Sequence, residues 1–191
     1  MALQIRRMRR NDLEQLTRWG KHNDPRFYHY SFPYREPADL DLWFRKKQRP
    51  VSRFIYAIDV DGRVVGFVTL KNIQWFKLMG EMGITLDPNY LDRGIGTKAI
   101  VLYLNHVFRF IGLQRIWLRT AIFNKRAIRT YEKVGFEVYE HREEAYEEQA
   151  FINEIYGRFD HFRLAKKQLM TDYVYMEMTK QAFDSQYGKV K

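Results

Sequence analysis

One continuous stretch, residues 81–97 (EMGITLDPNYLDRGIGT), carries an apolar run, a turn and a glycine-rich loop directly before an amphipathic segment. Asp87-Pro88-Asn89 ends the apolar run, because proline lacks the N–H that a strand donates and Asp and Asn favour turns. Glycines let a backbone approach a ligand closely, and the unpaired N–H groups of a helix start attract phosphate. The stretch therefore predicts a strand that leads into a helix start, and its loop acts either as a plain turn or as a phosphate site.

The segments before this stretch predict an antiparallel meander. The pair Asp61-Gly62 lies between two apolar runs and is a strong hairpin signal. It predicts paired strands over 54–59 and 64–71, with 81–86 as a third strand. With the helical periodicities elsewhere, the predicted order is β–α–α–β–β–β–α–β–α–β–β. This order indicates an α/β (α+β) domain with a mixed, mostly antiparallel sheet and helices on both faces.

The C-terminal part gives weaker signals. Residues 147–170 are polar and predict a loop with one short helix, and 173–179 predict the last strand. Residues 181–191 are predicted as a polar tail, which frays as chain ends do. The predicted organisation is a single domain over residues 1–180 followed by this tail.

Composition limits the chemistry. The 191 residues include no cysteine, which excludes a disulfide framework, a thiolate zinc site and a cysteine nucleophile. The histidines show no metal-ligand spacing, so no metal is predicted. A net charge of +10 favours an anionic partner. No apolar run is long enough for a membrane span, and we expect a cytoplasmic protein that does not bind a membrane.

A second motif, N-x-x-A-x-x-x-Y-x-x-x-G-F, runs from Asn124 to Phe136. Together with the LDPNY and RGIGT segments it resembles the GNAT superfamily of acetyl-CoA-dependent N-acetyltransferases, most closely its ribosomal-protein-alanine and spermidine acetyltransferase branch. Leu91 departs from the family loop, which usually has Arg or Gln there.

The resemblance implies acetyl-CoA as cosubstrate and direct transfer of its acetyl group to an amine. In such a protein the loop binds the pyrophosphate and the strand before it holds the pantetheine arm. Asn124 would hydrogen-bond that arm, and its alternative role is a plain N-cap. The residues implied for cofactor binding besides Asn124 are Ile84, Thr85, Leu86, Arg93, Gly94, Ile95, Gly96 and Thr97.

The resemblance also implies Tyr131 as the general acid that protonates the leaving sulfur. The alternative for Tyr131 is a core aromatic at helical spacing. Glu81 is the candidate base, acting on the amine through a water, and its alternative is a solvated strand end.

The acceptor is predicted only as a primary amine: a protein N-terminus, a polyamine or another small amine. The acidic run 137–148 either gathers a cationic amine or forms a solvated strand face. The alternative function is a basic RNA- or ribosome-binding module that keeps the fold without catalysis. A ribosomal protein and a second copy of the chain remain open as partners.

Overall fold

An eight-stranded sheet runs through the part of the chain that the computed structural model describes, residues 2–48 and 52–188. Its strands are β1 (Leu3–Arg7), β2 (Phe54–Val60), β3 (Arg63–Gln74), β4 (Met79–Leu86), β5 (Arg115–Ala121), β6 (Glu137–Ala145), β7 (Phe162–Ala165) and β8 (Gln168–Thr179). The spatial order is β1-β2-β3-β4-β5-β8-β6, and β7 pairs with the start of β8. All pairings are antiparallel except that of β4 with β5, so the predicted mixed sheet is confirmed.

Helices cover both faces of the sheet. Within the described residues they are α1 (Leu13–Leu16), α2 (Pro37–Lys47), α3 (Ile95–His106), α4 (Lys125–Val134), α5 (Ile152–Ile155) and α6 (Lys180–Tyr187). Side chains of β2 alternate between the faces, as they must in a strand. Ile55 and Ala57 pack in the cluster that contains α1 and α2, and Tyr56 and Ile58 pack in the cluster that contains α3, α4 and α6. The predicted two-faced architecture is confirmed.

The predicted hairpin is also confirmed. Asp61 and Gly62 connect β2 to β3 with φ values of 50° and 83°. Positive φ at both central residues is the geometry of the turn that matches the twist of the two strands. Asp59 supports the turn, because its carboxylate accepts a hydrogen bond from the Gly62 N–H at 2.9 Å.

The strands β4 and β5 pair over a short distance only. Their parallel register covers three residue pairs and ends at Glu81 opposite Trp117. Beyond this point β4 continues to Leu86 and β5 continues to Ala121, without registered pairing between them in the described chain. A wedge therefore opens between the two strands toward their C-terminal ends.

The structure corrects the prediction for residues 147–170. Besides the short helix α5, this segment contains β7, which forms a hairpin with β8, and β8 begins at Gln168 instead of Tyr173. Lys166 and Lys167 form the turn with φ values of 49° and 64°. Lysine seldom adopts positive φ, so the sequence carries no turn signal at this point.

The polar tail predicted from Gln181 is wrong for residues 181–187, which belong to α6. The Thr179 hydroxyl accepts a hydrogen bond from the Ala182 N–H at 3.2 Å and caps this helix. Phe183 is fully buried, and its ring lies 5.5 Å from that of Phe108. Tyr187 of the same helix also packs against the core, and its hydroxyl donates a hydrogen bond to the Val134 carbonyl at 3.1 Å. Two aromatic residues in a polar sequence thus anchor the helix.

Residues 189–191 of the predicted tail lie outside the described residues, as do residues 1 and 49–51 of the predicted domain. None of the helices in the described part of the chain has the length and apolar character needed to cross a membrane.

Candidate functional site

Two clefts open at the wedge between β4 and β5, and they share one wall. The first, which we call the helix cleft, has a volume of about 270 Å³ and lies between β4, the start of α3 and α4. The second, the sheet cleft, has a volume of about 260 Å³ and lies over β3, β4 and β5 beside the end of α2. Tyr30, Ile84, Thr85 and Tyr131 line both clefts. Molecules bound in the two clefts would therefore meet at these four residues.

The helix cleft ends at the N-terminus of α3. Gly94 is the N-cap residue directly before this helix; it has a φ of 72° and provides no side-chain cap. Because the first N–H groups of a helix have no carbonyl partner within it, they are available to a ligand. Gly94, Gly96 and Thr97 line the cleft. An uncapped helix start facing a cleft is a favourable site for phosphate, as the sequence predicts.

Two of the predicted loop residues do not present side chains to this cleft. The Arg93 guanidinium lies over the Tyr90 ring, 5.1 Å from its centroid. Ile95 is 1% exposed and packs in the core. In this structure neither the Arg93 nor the Ile95 side chain lines the helix cleft, and both residues can offer a ligand their backbone N–H groups. Leu91, at the position where the family usually has Arg or Gln, lines the cleft with an apolar side chain.

Asn124 caps α4 and also lies in the wall of the helix cleft. Its side-chain oxygen accepts a hydrogen bond from the Ala127 N–H at 3.2 Å and caps α4. The residue is 8% exposed and also lines the helix cleft. Its amide group is held there by the cap, beside Tyr30.

Tyr131 projects from α4 into the junction of the two clefts. It is 8% exposed, and its ring lies 5.8 Å from that of Phe136. Burial, together with the neighbouring Tyr30, raises the pKa of the Tyr131 phenol. The hydroxyl therefore keeps its proton at neutral pH, as a proton donor requires. The residue also belongs to the core, so the core-aromatic interpretation describes the same side chain.

Glu81 lines the sheet cleft at a distance from the junction. It is 5% exposed, so it is not the solvated strand end considered as its alternative. One carboxylate oxygen lies 2.8 Å from the Lys71 ammonium, and the other accepts a hydrogen bond from the Asn72 side chain at 2.6 Å. Three residues of strand, roughly 10 Å, separate Glu81 from Ile84. A proton released at the junction can reach Glu81 only through intervening water.

Sequence reasoning missed three residues in these walls. Thr120 is 3% exposed, lines the sheet cleft, and its hydroxyl has no hydrogen-bond partner among the described residues. Tyr30 comes from the aromatic segment 21–38 and has a pKa raised to about 12, mainly by burial. Lys47 comes from the last turn of α2. No local pattern marks these residues, because strands and helices far apart in the chain bring them together.

His29 also lines the sheet cleft. Its Nδ1 lies 3.0 Å from the Tyr146 hydroxyl, and burial lowers its pKa to about 4. The imidazole is therefore neutral at pH 7. The described residues contain no group of three or more His, Cys, Asp or Glu side chains arranged to hold a metal ion.

The chain matches the acetyltransferase (GNAT) domain family over residues 2–137. It is 26% identical over 137 residues to a spermidine N(1)-acetyltransferase of Escherichia coli K12, covering 72% of this chain and 74% of that protein. It is 27% identical over 119 residues to the L-amino acid N-acetyltransferase AaaT of the same organism, covering 61% and 73%.

A solved structure shares the fold. The spermidine N-acetyltransferase of Vibrio cholerae, in complex with CoA and spermine, superimposes with a TM-score of 0.70. The match covers 95% of this chain and 97% of that one, at 22% identity.

Proposed function

The chain belongs to the GNAT acetyltransferase family, and from this premise we propose that it transfers the acetyl group of acetyl-CoA directly to a primary amine. Acetyl-CoA supplies an activated acyl group in the form of a thioester. The observation that carries this proposal is the junction of the helix cleft and the sheet cleft at Tyr131. One cleft suits a phosphate-bearing donor, the other suits an acceptor, and a buried proton donor lies where they meet.

The helix cleft provides three kinds of contact for the donor. The N–H groups at the start of α3 face its diphosphate, as fixed partial positive charges. The backbone of Ile84–Leu86 lies beside the wedge, where β5 no longer occupies its free edge, and can pair with the amides of the pantetheine arm. Asn124 supplies a further side-chain hydrogen bond. These contacts support the helix cleft as the proposed cofactor site.

At the junction the chain has a group for each step of the transfer. A β4 N–H that has lost its β5 partner stabilises the negative charge that develops on the thioester oxygen. Tyr131 gives its proton to the departing sulfur. The Thr120 hydroxyl accepts a hydrogen bond from the incoming amine. The proton that the amine loses leaves along the sheet cleft through water to Glu81.

The relatives leave the class of acceptor open. One is named for a polyamine substrate and another for L-amino acids. Both substrates contain a primary amine, which is the part that reacts. The sheet cleft, on the acceptor side of the junction, therefore has to determine which amine binds.

A thermal-shift experiment combined with a CoA-release assay tests the proposal. Acetyl-CoA at 100 times its dissociation constant should add about 2.7 kcal/mol to the free energy of unfolding. CoA release should then depend on an added primary amine. If acetyl-CoA neither stabilises the protein nor yields CoA with any amine, the proposal is wrong. Stabilisation by RNA alone would support the basic RNA-binding module instead.

A further inference from the structure

The sheet cleft contains a lysine without a carboxylate partner. Lys47 is partly buried in its wall, and its ammonium lies 5.9 Å from the centroid of the Trp43 ring. No carboxylate lies within ion-pair distance of this ammonium in the part of the chain that the structure describes. Burial, followed by the charges of Arg53 and Lys71, lowers the pKa of Lys47, and the charge of Glu147 opposes this with a smaller effect. A partly buried ammonium destabilises the folded protein unless an anion pairs with it.

The carboxylates of the same cleft are already committed to other cations. Glu81 is paired with Lys71 at 2.8 Å, and Glu147 is paired with Arg119 at 2.9 Å. Three cations, Lys47, Lys71 and Arg119, line the cleft. Among the described residues, Lys71 and Arg119 have carboxylate partners within ion-pair distance, whereas Lys47 does not.

The acidic run over residues 137–148 provides no ion pair for Lys47 within the described residues. Several of its glutamates pair with arginines instead: Glu140 with Arg142, Glu143 with Arg163, and Glu144 with Arg119. A polyamine entering the sheet cleft would therefore find no unpaired carboxylate among the described lining residues and would meet the Lys47 ammonium.

We propose that the acceptor carries a carboxylate in addition to its primary amine, and that Lys47 binds this carboxylate. The inference rests on the proposed function. With the amine at Tyr131, the carboxylate lies toward Lys47 and forms a charge-assisted hydrogen bond with its ammonium. Two links place Lys47 relative to the junction. The charge of Lys71 acts on Lys47, and Lys71 pairs with Glu81. Glu81 in turn lies three strand residues from Ile84, which lines the junction. The junction and the end of the cleft near Lys47 are accordingly roughly 10 Å apart, and the acceptor with its contacts to the protein has to span this distance.

Matched amines test the proposal because they differ only in the carboxylate. We would measure kcat/KM at saturating acetyl-CoA for 6-aminohexanoate against hexylamine, for lysine against cadaverine, and for spermidine. The protein should prefer the carboxylate-bearing member of each pair by about tenfold to a hundredfold, since a hydrogen bond to a charged group contributes about 1.5–3 kcal/mol. Spermidine should be a poor substrate.

Three variants identify the group responsible. Lys47→Met should remove the preference, mainly through a higher KM for 6-aminohexanoate, while hexylamine is acetylated as before. Lys47→Arg should retain the preference, because it keeps the positive charge. Lys46 is an exposed neighbour on the same helix and does not line either cleft. Lys46→Met should therefore leave kcat and KM unchanged for every amine in the panel.

The failures of the two proposals are distinguishable. The inference about Lys47 is overturned if the protein acetylates amines without any preference for a carboxylate. It is also overturned if Lys47→Met lowers kcat/KM equally for both amines of a pair. In either case the acetyltransferase proposal stands. If no amine in the panel is acetylated and acetyl-CoA does not bind, the proposed function fails, and this inference fails with it.

Discussion

At the scale of single residues, Tyr131 combines two properties that oppose each other in a proton donor. Burial raises the pKa of its phenol, which keeps the proton in place at neutral pH but makes it harder to release. The thiolate that receives the proton forms in the same cleft, and burial also raises the pKa of a thiol. Because burial raises the pKa of the Tyr131 phenol and the pKa of the thiol together, the difference between these two pKa values stays small. Burial thus keeps Tyr131 suited to its proposed role.

Tyr131→Phe should lower kcat by about a hundredfold or more, since general acid catalysis typically contributes at least that factor. Acetyl-CoA affinity should change little, because the hydroxyl acts on the leaving sulfur and not on the phosphates. Steady-state kinetics and calorimetric titration with acetyl-CoA measure the two effects separately. Tyr30→Phe is the matched control at the same junction and should have a smaller effect on kcat. An unchanged kcat in Tyr131→Phe would remove Tyr131 from the chemistry.

His29 makes protein stability depend on pH. Its folded-state pKa of about 4 lies below the ordinary value near 6.5, so the unfolded chain binds more protons between these values. Stability is therefore fully present above pH 6.5 and is lost as pH falls toward 4. From pH 7 to pH 5 the loss should be about 2 kcal/mol at most.

Urea unfolding of the native protein and of His29→Gln at pH 7 and pH 5 measures this contribution. The variant should lose less stability between the two pH values, because glutamine does not titrate. His141→Gln, at an exposed position on β6, is the control for replacing a histidine with glutamine, and the difference between the two variants isolates the contribution of His29. If the free energy of unfolding changed equally with pH in the native protein and in His29→Gln, protonation of His29 would not reduce the stability of the folded state.

At the scale of elements, the start of α3 combines a strained backbone with close packing. Gly94 needs glycine for its positive φ, whereas Gly96 needs it for space. A Cβ at Gly96 would lie 3.3 Å from the Leu86 Cδ1 atom on β4, the strand that forms the opposite side of the helix cleft. The distance between α3 and β4 thus sets the width of the cleft.

A graded pair of variants tests this dependence. Gly96→Ala should weaken acetyl-CoA binding mildly, and Gly96→Val should weaken it by more than about tenfold, because the branched side chain occupies space beside the free N–H groups. Isothermal titration with acetyl-CoA gives the affinities, and circular dichroism checks that both variants fold. Native affinity in Gly96→Val would show that the loop is only a turn.

At the scale of the whole molecule, one sheet carries cores on both faces. The β2 residues Ile55 and Ala57 belong to one core, and Tyr56 and Ile58 belong to the other. Since neither core can form without the sheet, the two should form and unfold together. The single domain over residues 1–180, the cytoplasmic location, and a ribosomal protein or a second copy as partner stay predictions.

Urea unfolding followed by tryptophan fluorescence and by far-ultraviolet circular dichroism should give one coincident transition, because small single domains usually unfold in an all-or-none manner. Trp19 and Trp43 report on the core that contains α1 and α2. Their fluorescence should therefore change at the same urea concentration as the total secondary structure. Two separated midpoints would contradict the single-domain prediction.

The sequence by itself determined the features that depend on neighbours in the chain. The Asp61-Gly62 turn, the uncapped start of α3 at Gly94 and the Asn124 cap each follow from the backbone preferences of two to four consecutive residues. These local signals were enough to predict the mixed sheet, the family and the elements that carry the candidate site. They failed at the Lys166-Lys167 turn, where both lysines adopt an uncommon positive φ. They also failed at α6, a polar helix that the buried Phe183 helps to stabilise.

Only the tertiary structure decided which side chains share a cleft. Glu81 acquires Lys71 as its partner through the register of β3 and β4, and Thr120 faces the sheet cleft because β4 and β5 separate beyond Glu81. Lys47 enters the same cleft from a helix more than 70 residues earlier in the chain than Thr120. Charge pairing and burial at such sites depend on distances between elements that are remote in sequence, and no local pattern encodes those distances.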